Sequence, residues 1–236
     1  MATPSAAHNP IAPGAQEELE QALHQFIHGN SVEPSDAYSD EVNERLQSAP
    51  RHAQEAAAKV PQQVQLQVRR LLTAGVNAQS NTKRVMWLQR AADALSNAYA
   101  PYSGCAKGCN SCCHIPIRIS EVEARELGRA IGRKPEAFEA HKPVEIKGYE
   151  SPCPFLHEDS CSIYDKRPAV CRTHLNMDKD ALLCQLDPGG AMNPVPYLDT
   201  RLFMLFSFET GGDPKRWGDL RQWFPSPADE NSGARV

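Results

Sequence analysis

The chain has 236 residues, a formal net charge of −4 and 41% hydrophobic residues. This acidic balance provides no positive field to gather nucleic acid, so neither DNA nor RNA is expected as a partner. No stretch approaches a membrane-spanning length, and residues 1–16 lack the basic patch and apolar run of an export signal. We therefore expect a cytoplasmic protein that contacts no membrane and has either a protein partner or none.

Residues 16–100 are predicted to form a helical N-terminal segment. Residues 1–15, rich in Ala and Pro without periodicity, are typical of a flexible tail. Apolar side chains then recur at helical spacing in four stretches, of which the first ends at Gly29-Asn30 and the third begins at Pro61. The four apolar stripes are Leu19, Leu23, Phe26 and Ile27; Val42 and Leu46; Val64, Val68, Leu71 and Leu72; and Val85, Leu88, Ala92, Leu95 and Tyr99.

A strand and a helix are predicted next. Residues 114–120 alternate apolar and other side chains, and Pro116 among them favours an edge strand because proline has no amide hydrogen to donate. Ser120 and Glu123 have the spacing of a capping box, which indicates a helix start. Gly132 supplies its end.

The remaining elements complete the predicted fold. Residues 153–164 are typical of a hairpin, and residues 197–208 and 214–223 of two final helices. The predicted fold class is therefore mainly α, with a small α+β cysteine-rich module within a domain spanning residues 101–224. Residues 225–236 are predicted to be a second flexible tail.

Eight cysteines lie between residues 105 and 184, and none lies elsewhere. Thiolates are soft ligands that select zinc, copper(I) or iron–sulfur clusters. In a reducing compartment, clustered thiols indicate metal ligands rather than disulfides, since a secreted disulfide framework would need an export signal. The candidate metal ligands are Cys105, Cys109, Cys112, Cys113, Cys153, Cys161, Cys171 and Cys184.

The spacing of the first four cysteines restricts how they can share one ion. On a straight helix Cys105 and Cys113 would lie roughly 12 Å apart, whereas metal–sulfur bonds of about 2.3 Å hold the ligands of one zinc much closer together. Either Gly104 and Gly108 let the chain wrap around the metal, or the thiols are shared between centres. We expect both. Neighbouring side chains diverge, so Cys112 and its neighbour serve different centres or one of them is a spare thiol.

Basic and imidazole side chains near the cysteines are further candidates. Four thiolates around a divalent metal leave a charge of about −2, which nearby cations would offset. The basic residues beside cysteines are Lys107, Arg118, Lys166, Arg167 and Arg172, each equally consistent with an ordinary solvated side chain. His114 and His174 could be ligands, although histidines in such positions are more often ordinary surface residues.

Four sequence segments together resemble the YkgJ-type cysteine-cluster family. They are Cys-Ala-Lys-Gly-Cys-Asn-Ser-Cys-Cys at 105–113, Cys-Pro-Phe-Leu at 153–156, Cys-Ser-Ile-Tyr-Asp-Lys-Arg-Pro at 161–168 and Cys-Arg at 171–172. The resemblance covers residues 105–184 and implies a centre of zinc or iron, or an iron–sulfur centre. Flagellin lysine-N-methylases look related through the same cluster. The chain departs from the pattern at His174, where an aromatic residue is expected, and the helical N-terminal segment lies outside the resemblance.

Three functions are consistent with this pattern. The leading hypothesis is a metal-binding protein whose eight cysteines chelate zinc or iron, as ions or as an iron–sulfur centre. The second is an iron–sulfur, S-adenosylmethionine-dependent enzyme related to the methylases, because Cys105-x3-Cys109-x2-Cys112 has the spacing of the radical S-adenosylmethionine motif. The residues after Cys112 lack the repeated strand–helix pattern of the barrel that this chemistry usually needs. The third is a redox sensor that uses Cys112 and Cys113 as a thiol switch. The sequence predicts no catalytic residue and no substrate.

Overall fold

The computed structural model of the chain describes residues 38–106, 108–187, 190, 193–210 and 216–226. The predicted first helix, the predicted N-terminal tail and most of the predicted C-terminal tail lie outside these ranges. Backbone contacts divide the chain into two compact units, residues 1–47 and residues 48–236. No helix within the described ranges combines the length and the hydropathy needed to cross a membrane.

The helices predicted between residues 40 and 100 are confirmed. They are α1 (Asp40–Lys59), α2 (Gln62–Val76) and α3 (Asn81–Tyr99). Helix α2 begins directly after Pro61, as predicted. At the start of α3, the Ser80 side chain accepts a hydrogen bond from Lys83 N, which satisfies one of the amides that a helix start leaves unpaired. Helices α2 and α3 pack against each other.

Short elements make up the rest of the described chain. The strands are β1 (Arg118–Ser120), β2 (Leu156–His157), β3 (Ser160–Cys161) and β4 (Trp217–Asp219), and the helices are α4 (Glu121–Ile131), α5 (Ala169–Thr173), α6 (Arg201–Thr210) and α7 (Leu220–Trp223). Strand β1 pairs antiparallel with β4, and β2 pairs antiparallel with β3. The architecture is therefore mostly helical, with two small two-stranded sheets in the cysteine-rich region, as the sequence predicts.

The predicted boundaries of α4 are confirmed. The Ser120 side chain accepts a hydrogen bond from Glu123 N, and Gly132 ends the helix at a φ of 70°. The Glu123 carboxylate accepts a hydrogen bond of 2.7 Å from Ala169 N at the start of α5. The Glu123 side chain therefore joins α4 to α5. In the predicted capping box it would instead accept a hydrogen bond from the backbone amide at the start of its own helix.

The predicted hairpin at residues 153–164 is confirmed as β2 and β3. Leu156 lies opposite Cys161, and His157 lies opposite Ser160. The two turn residues, Glu158 and Asp159, have φ angles of 46° and 58°. Positive φ at both positions is the geometry of a two-residue turn whose twist matches that of the flanking strands.

The prediction of a single helix over residues 214–223 is wrong. Among its described residues, Trp217–Asp219 form β4 and only Leu220–Trp223 are helical. The Asp219 side chain caps this short helix in a capping box with Gln222. A three-residue strand has too few positions to show alternation, and its partner β1 lies about a hundred positions earlier in the chain. The other strand prediction, residues 114–120, is confirmed only for Arg118–Ser120.

A first cluster of buried side chains, the helical core, joins α2 and α3 to later parts of the chain. It consists of Ala56, Val68, Leu72, Leu88, Ala91, Ala92, Leu95, Tyr99, Ala169, Leu175, Met177, Leu198 and Phe203. Because its members lie on both sides of position 100, the N-terminal helices and the cysteine-rich region share buried apolar surface. The independence of a domain at residues 101–224 stays a prediction.

A second cluster, the module core, lies within the cysteine-rich region. It consists of Ile115, Ile117, Ile119, Ala124, Leu127, Cys153, Phe155, Leu186, Leu220, Trp223 and Phe224. Cys112, Cys113 and Cys171 pack against this module core, whereas Cys105 packs against the helical core. Cysteines of this region therefore contact both clusters.

Candidate metal centre

All eight cysteines lie in described parts of the chain, and each is unpaired. They come from four local structures. Cys105 and Cys109 lie in the loop before the 3₁₀ turn Ser111–His114, and Cys112 and Cys113 lie in that turn. Cys153 and Cys161 belong to the β2–β3 hairpin and the residues just before it, and Cys171 and Cys184 lie in α5 and the 3₁₀ turn Leu182–Cys184. The fold brings these structures together although the first and last cysteines are far apart in sequence.

The loop that carries Cys105 and Cys109 is shaped by glycines, as predicted. Gly104 N donates a hydrogen bond of 2.9 Å to Asn176 O, and a Cβ at Gly104 would lie 2.4 Å from the carbonyl oxygen of Asp180. Only glycine permits that approach. Gly108 adopts a φ of 91°, in the left-handed region that other residues rarely adopt. The described residues of this loop form no helix, so the chain wraps here rather than presenting its thiols along a helix face.

Four thiols, which we call the first thiol group, line one surface pocket. They are Cys105, Cys109, Cys112 and Cys184. Burial, together with the charges of Cys105 and Cys109, raises the pKa of Cys184 to about 12. Burial also raises the pKa of Cys105. A hydrogen bond from Asn176 N to the Cys105 Sγ lowers it and so offsets part of this rise. The cysteines of the first thiol group therefore affect one another's pKa values as well as lining the same pocket.

The other four thiols, which we call the second thiol group, do not line this pocket. They are Cys113, Cys153, Cys161 and Cys171. Cys153 N donates a hydrogen bond of 2.7 Å to Cys113 O, which joins the hairpin approach to the 3₁₀ turn. Burial raises the pKa of Cys153 to about 11, and the charge of Cys161 adds to this effect. Burial likewise raises the pKa of Cys171, and the charges of Cys112 and Cys153 add to this rise.

Cys112 and Cys113 belong to different thiol groups although they are adjacent in sequence. A hydrogen bond from the Cys113 thiol lowers the pKa of Cys112 to about 7, and the cation of Arg167 contributes to the lowering. The same hydrogen bond, followed by burial and by the charges of Cys153 and Cys161, raises the pKa of Cys113. The two thiols are close enough to share this hydrogen bond, so the expected divergence of the neighbouring side chains is not seen, although only Cys112 lines the pocket.

The donor set fits a soft metal. Eight unpaired thiols in two groups of four match the ligand type and number of tetrahedral zinc or iron sites. Within the described residues, no three or more Cys, His, Asp or Glu side chains are arranged to hold a metal ion as they stand. Cysteine side chains would therefore have to rotate to bring four sulfurs to about 2.3 Å from one ion.

The two candidate histidines are not ordinary surface residues. His174 lines the same pocket as the first thiol group, and its Nε2 is buried with no hydrogen-bond partner in the described structure. Its ring lies 4.0 Å from the ring of Tyr197, and burial lowers its pKa to about 4, so the imidazole is neutral at pH 7. His114 is buried against the ring of Tyr149 and does not line the pocket.

Of the predicted counter-charges, Arg167 is the one placed to act on the thiols. Its charge lowers the pKa values of Cys112 and Cys161, and its guanidinium lies 3.6 Å from the centre of the Tyr164 ring. Arg172 instead forms an ion pair of 2.6 Å with Asp93 on α3. Lys107 lies outside the described residues.

Arg221 is a functional candidate that the sequence does not reveal. Its guanidinium donates hydrogen bonds to the carbonyl oxygens of Cys113 and Ser151, at 3.0 and 2.6 Å. It also forms a buried ion pair of 3.0 Å with Asp219. Arg221 therefore holds the backbone at Cys113 and at Ser151, which lies two residues before Cys153. No local signal marks it, because it lies far beyond the last cysteine.

Comparison with known protein families supports a metal site in this region. Residues 104–187 match the CxxCxxCC family, described as "Putative zinc- or iron-chelating domain", and all eight cysteines fall within the match. No curated protein and no solved structure matches the chain. Residues 104–187 are therefore similar to the CxxCxxCC family, and the match covers less than half of the chain.

Proposed function

We propose that the chain is a zinc- or iron-binding protein whose eight cysteines hold two metal centres. The first thiol group would bind one centre and the second thiol group the other. The observation that carries this proposal is that four of the eight unpaired thiols line one pocket, whereas the other four lie outside its lining. Four thiolates per centre complete the coordination of a zinc ion, an iron ion or a four-iron cluster.

The geometry supports metal binding better than radical S-adenosylmethionine chemistry. That chemistry usually needs a large α/β barrel, whereas the described parts of the chain contain two two-stranded sheets and no run of alternating strands and helices. The metal-binding role needs only the thiol groups and the clusters that support them.

Anaerobic purification with elemental and sulfide analysis tests the proposal. Thiolate softness admits both zinc and iron, so the metal itself must be measured. A brown protein with inorganic sulfide indicates an iron–sulfur centre, and a colourless protein with zinc indicates two zinc ions. A metal-free protein that also fails to bind zinc or iron on reconstitution would reject the proposal and leave the thiol-switch hypothesis in its place.

Serine substitution is expected to lower metal content in both thiol groups. We expect Cys109→Ser, Cys112→Ser and Cys171→Ser each to lose about half of the bound metal, because each removes a soft ligand from a four-ligand centre. Metal per chain is measured by elemental analysis. Ser111→Ala is a matched control, since Ser111 lines the same pocket without offering a thiol. Full metal retention in all three cysteine variants would contradict a thiolate site.

The adjacent pair provides a sharper test of two centres. If Cys112 and Cys113 are ligands of different centres, Cys112→Ser and Cys113→Ser should each lose metal, and the two losses should affect different thiol groups. Cadmium substitution gives a readout, because each cadmium–thiolate bond contributes to absorbance in the near ultraviolet. Unchanged metal content in either variant would show that its thiol is a spare and that the eight-cysteine arrangement is wrong.

A further inference from the structure

The most exposed and the most buried of the eight cysteines lie in different thiol groups. Cys109 in the first thiol group is exposed, whereas Cys153 in the second group retains only 8% of its surface. The first group also lines a surface pocket, which the second group does not. An incoming ligand can therefore approach the first group directly at Cys109, but it must displace packed side chains to reach Cys153.

The backbone around Cys109 is also held less firmly than the backbone of the second group. Cys109 N donates to Ala106 O within the same loop, and among the described residues beyond its chain neighbours no atom lies within 4 Å of a Cβ built at Gly108. The loop at Gly108 therefore has open space on the side where a Cβ would project. Cys109 can move without disturbing a core.

The hairpin that carries part of the second group is fixed at both ends. Ser162 donates two hydrogen bonds to Phe155 O, from its amide at 2.8 Å and from its hydroxyl at 2.9 Å. Cys153 and Phe155 belong to the module core, and Cys171 packs against it. Movement of a ligand thiol here would require part of the core to open.

On the basis of the two-centre function above, we propose that the first thiol group is an exchange centre whose ion is passed to and from soft-donor ligands, while the ion of the second group stays in place. In the first step of each exchange, one bond forms between the ion and an incoming thiolate or chelator, and the bond to the Cys109 sulfur breaks. The bonds to the other three sulfurs are then replaced in the same way until the ion is released. The released thiolate takes a proton from water. The ion keeps its charge, so no oxidant or reductant is needed.

Release kinetics of zinc test this inference. The full chain is loaded with two zinc ions and mixed with excess EDTA and a zinc-sensitive dye. We expect two phases of equal amplitude, the faster by about tenfold or more, which corresponds to about 1.4 kcal/mol in activation free energy. Cys184→Ser should lose the fast phase, and Cys161→Ser should lose the slow phase. A single phase that releases both ions, or loss of the fast phase in Cys161→Ser, would overturn the exchange centre.

Failure of the proposed function gives a different result, since the wild-type chain would then not hold two ions before EDTA is added. A second measurement avoids dependence on the folding of variants. Zinc-loaded wild-type protein is treated briefly with iodoacetamide, and the modified cysteines are mapped by mass spectrometry. Cys109 should be alkylated first and Cys153 last. Alkylation of Cys153 before Cys109 would contradict the proposal.

Discussion

Removal of the metal is expected to destroy the tertiary structure of the cysteine-rich region while most of the helical signal remains. A structural zinc can contribute on the order of 10–16 kcal/mol, which is as much as the whole stability of a typical domain, about 5–15 kcal/mol. Burial raises the pKa values of most of the thiols, so without metal they return to neutral thiols that cross-link nothing. The region then depends on the module core alone.

The N-terminal helices have a source of stability of their own. Val68 and Leu72 on α2 are each 1% exposed and face the buried stripe of α3, which contains Leu88 and Leu95. We therefore expect α2 and α3 to stay helical after chelation, although loss of their contacts with α5 and α6 will lower their stability.

Circular dichroism before and after treatment with a strong chelator measures this outcome. The near-ultraviolet signal of Trp217 and Trp223 in the cysteine-rich region should collapse, and the far-ultraviolet helical signal should fall only in part. Restoring zinc or iron should bring both signals back, which controls for irreversible oxidation of the thiols. A cooperative loss of the entire helical signal would show that both parts fold as one.

Replacement of Arg221 by alanine is expected to lower the free energy of unfolding by about 3–5 kcal/mol, the usual effect of breaking a buried ion pair. The Asp219 carboxylate would stay buried without its cation, since the two side chains retain only 5% and 8% exposure. The carbonyl oxygens of Cys113, Ile115 and Ser151 would also lose a donor.

Denaturant titration of the metal-loaded protein measures this effect. Arg125→Ala is the matched control, because Arg125 is 62% exposed and pairs with Glu121 on its own helix. That change should cost less than about 1 kcal/mol. Arg221→Lys should recover only part of the loss, since an ammonium group cannot reproduce the fork of donors. Equal effects of the two alanine substitutions would contradict a structural role for Arg221.

Local patterns in the sequence determined much of the secondary structure. The apolar stripe from Val85 to Tyr99 predicts α3, and the same positions are buried in the structure. Ser120 and Gly132 mark the two ends of α4. Each of these signals acts within a few residues, through side-chain periodicity, capping hydrogen bonds or a positive φ, so it can be recognised without knowledge of the fold. The density of cysteines likewise indicates soft-metal chemistry from composition alone.

Only the tertiary structure decided which distant groups meet. The pairing of β4 with β1, and the hydrogen bond from Ile117 N to Asp219, join residues about a hundred positions apart. The sequence does not show which cysteines line a common pocket, and in the fold Cys112 does so whereas the adjacent Cys113 does not. Arg221 reaches the backbone of the second group from beyond the last cysteine. Such contacts depend on how separate elements pack. A local sequence pattern cannot identify a contact partner that lies far away in the chain.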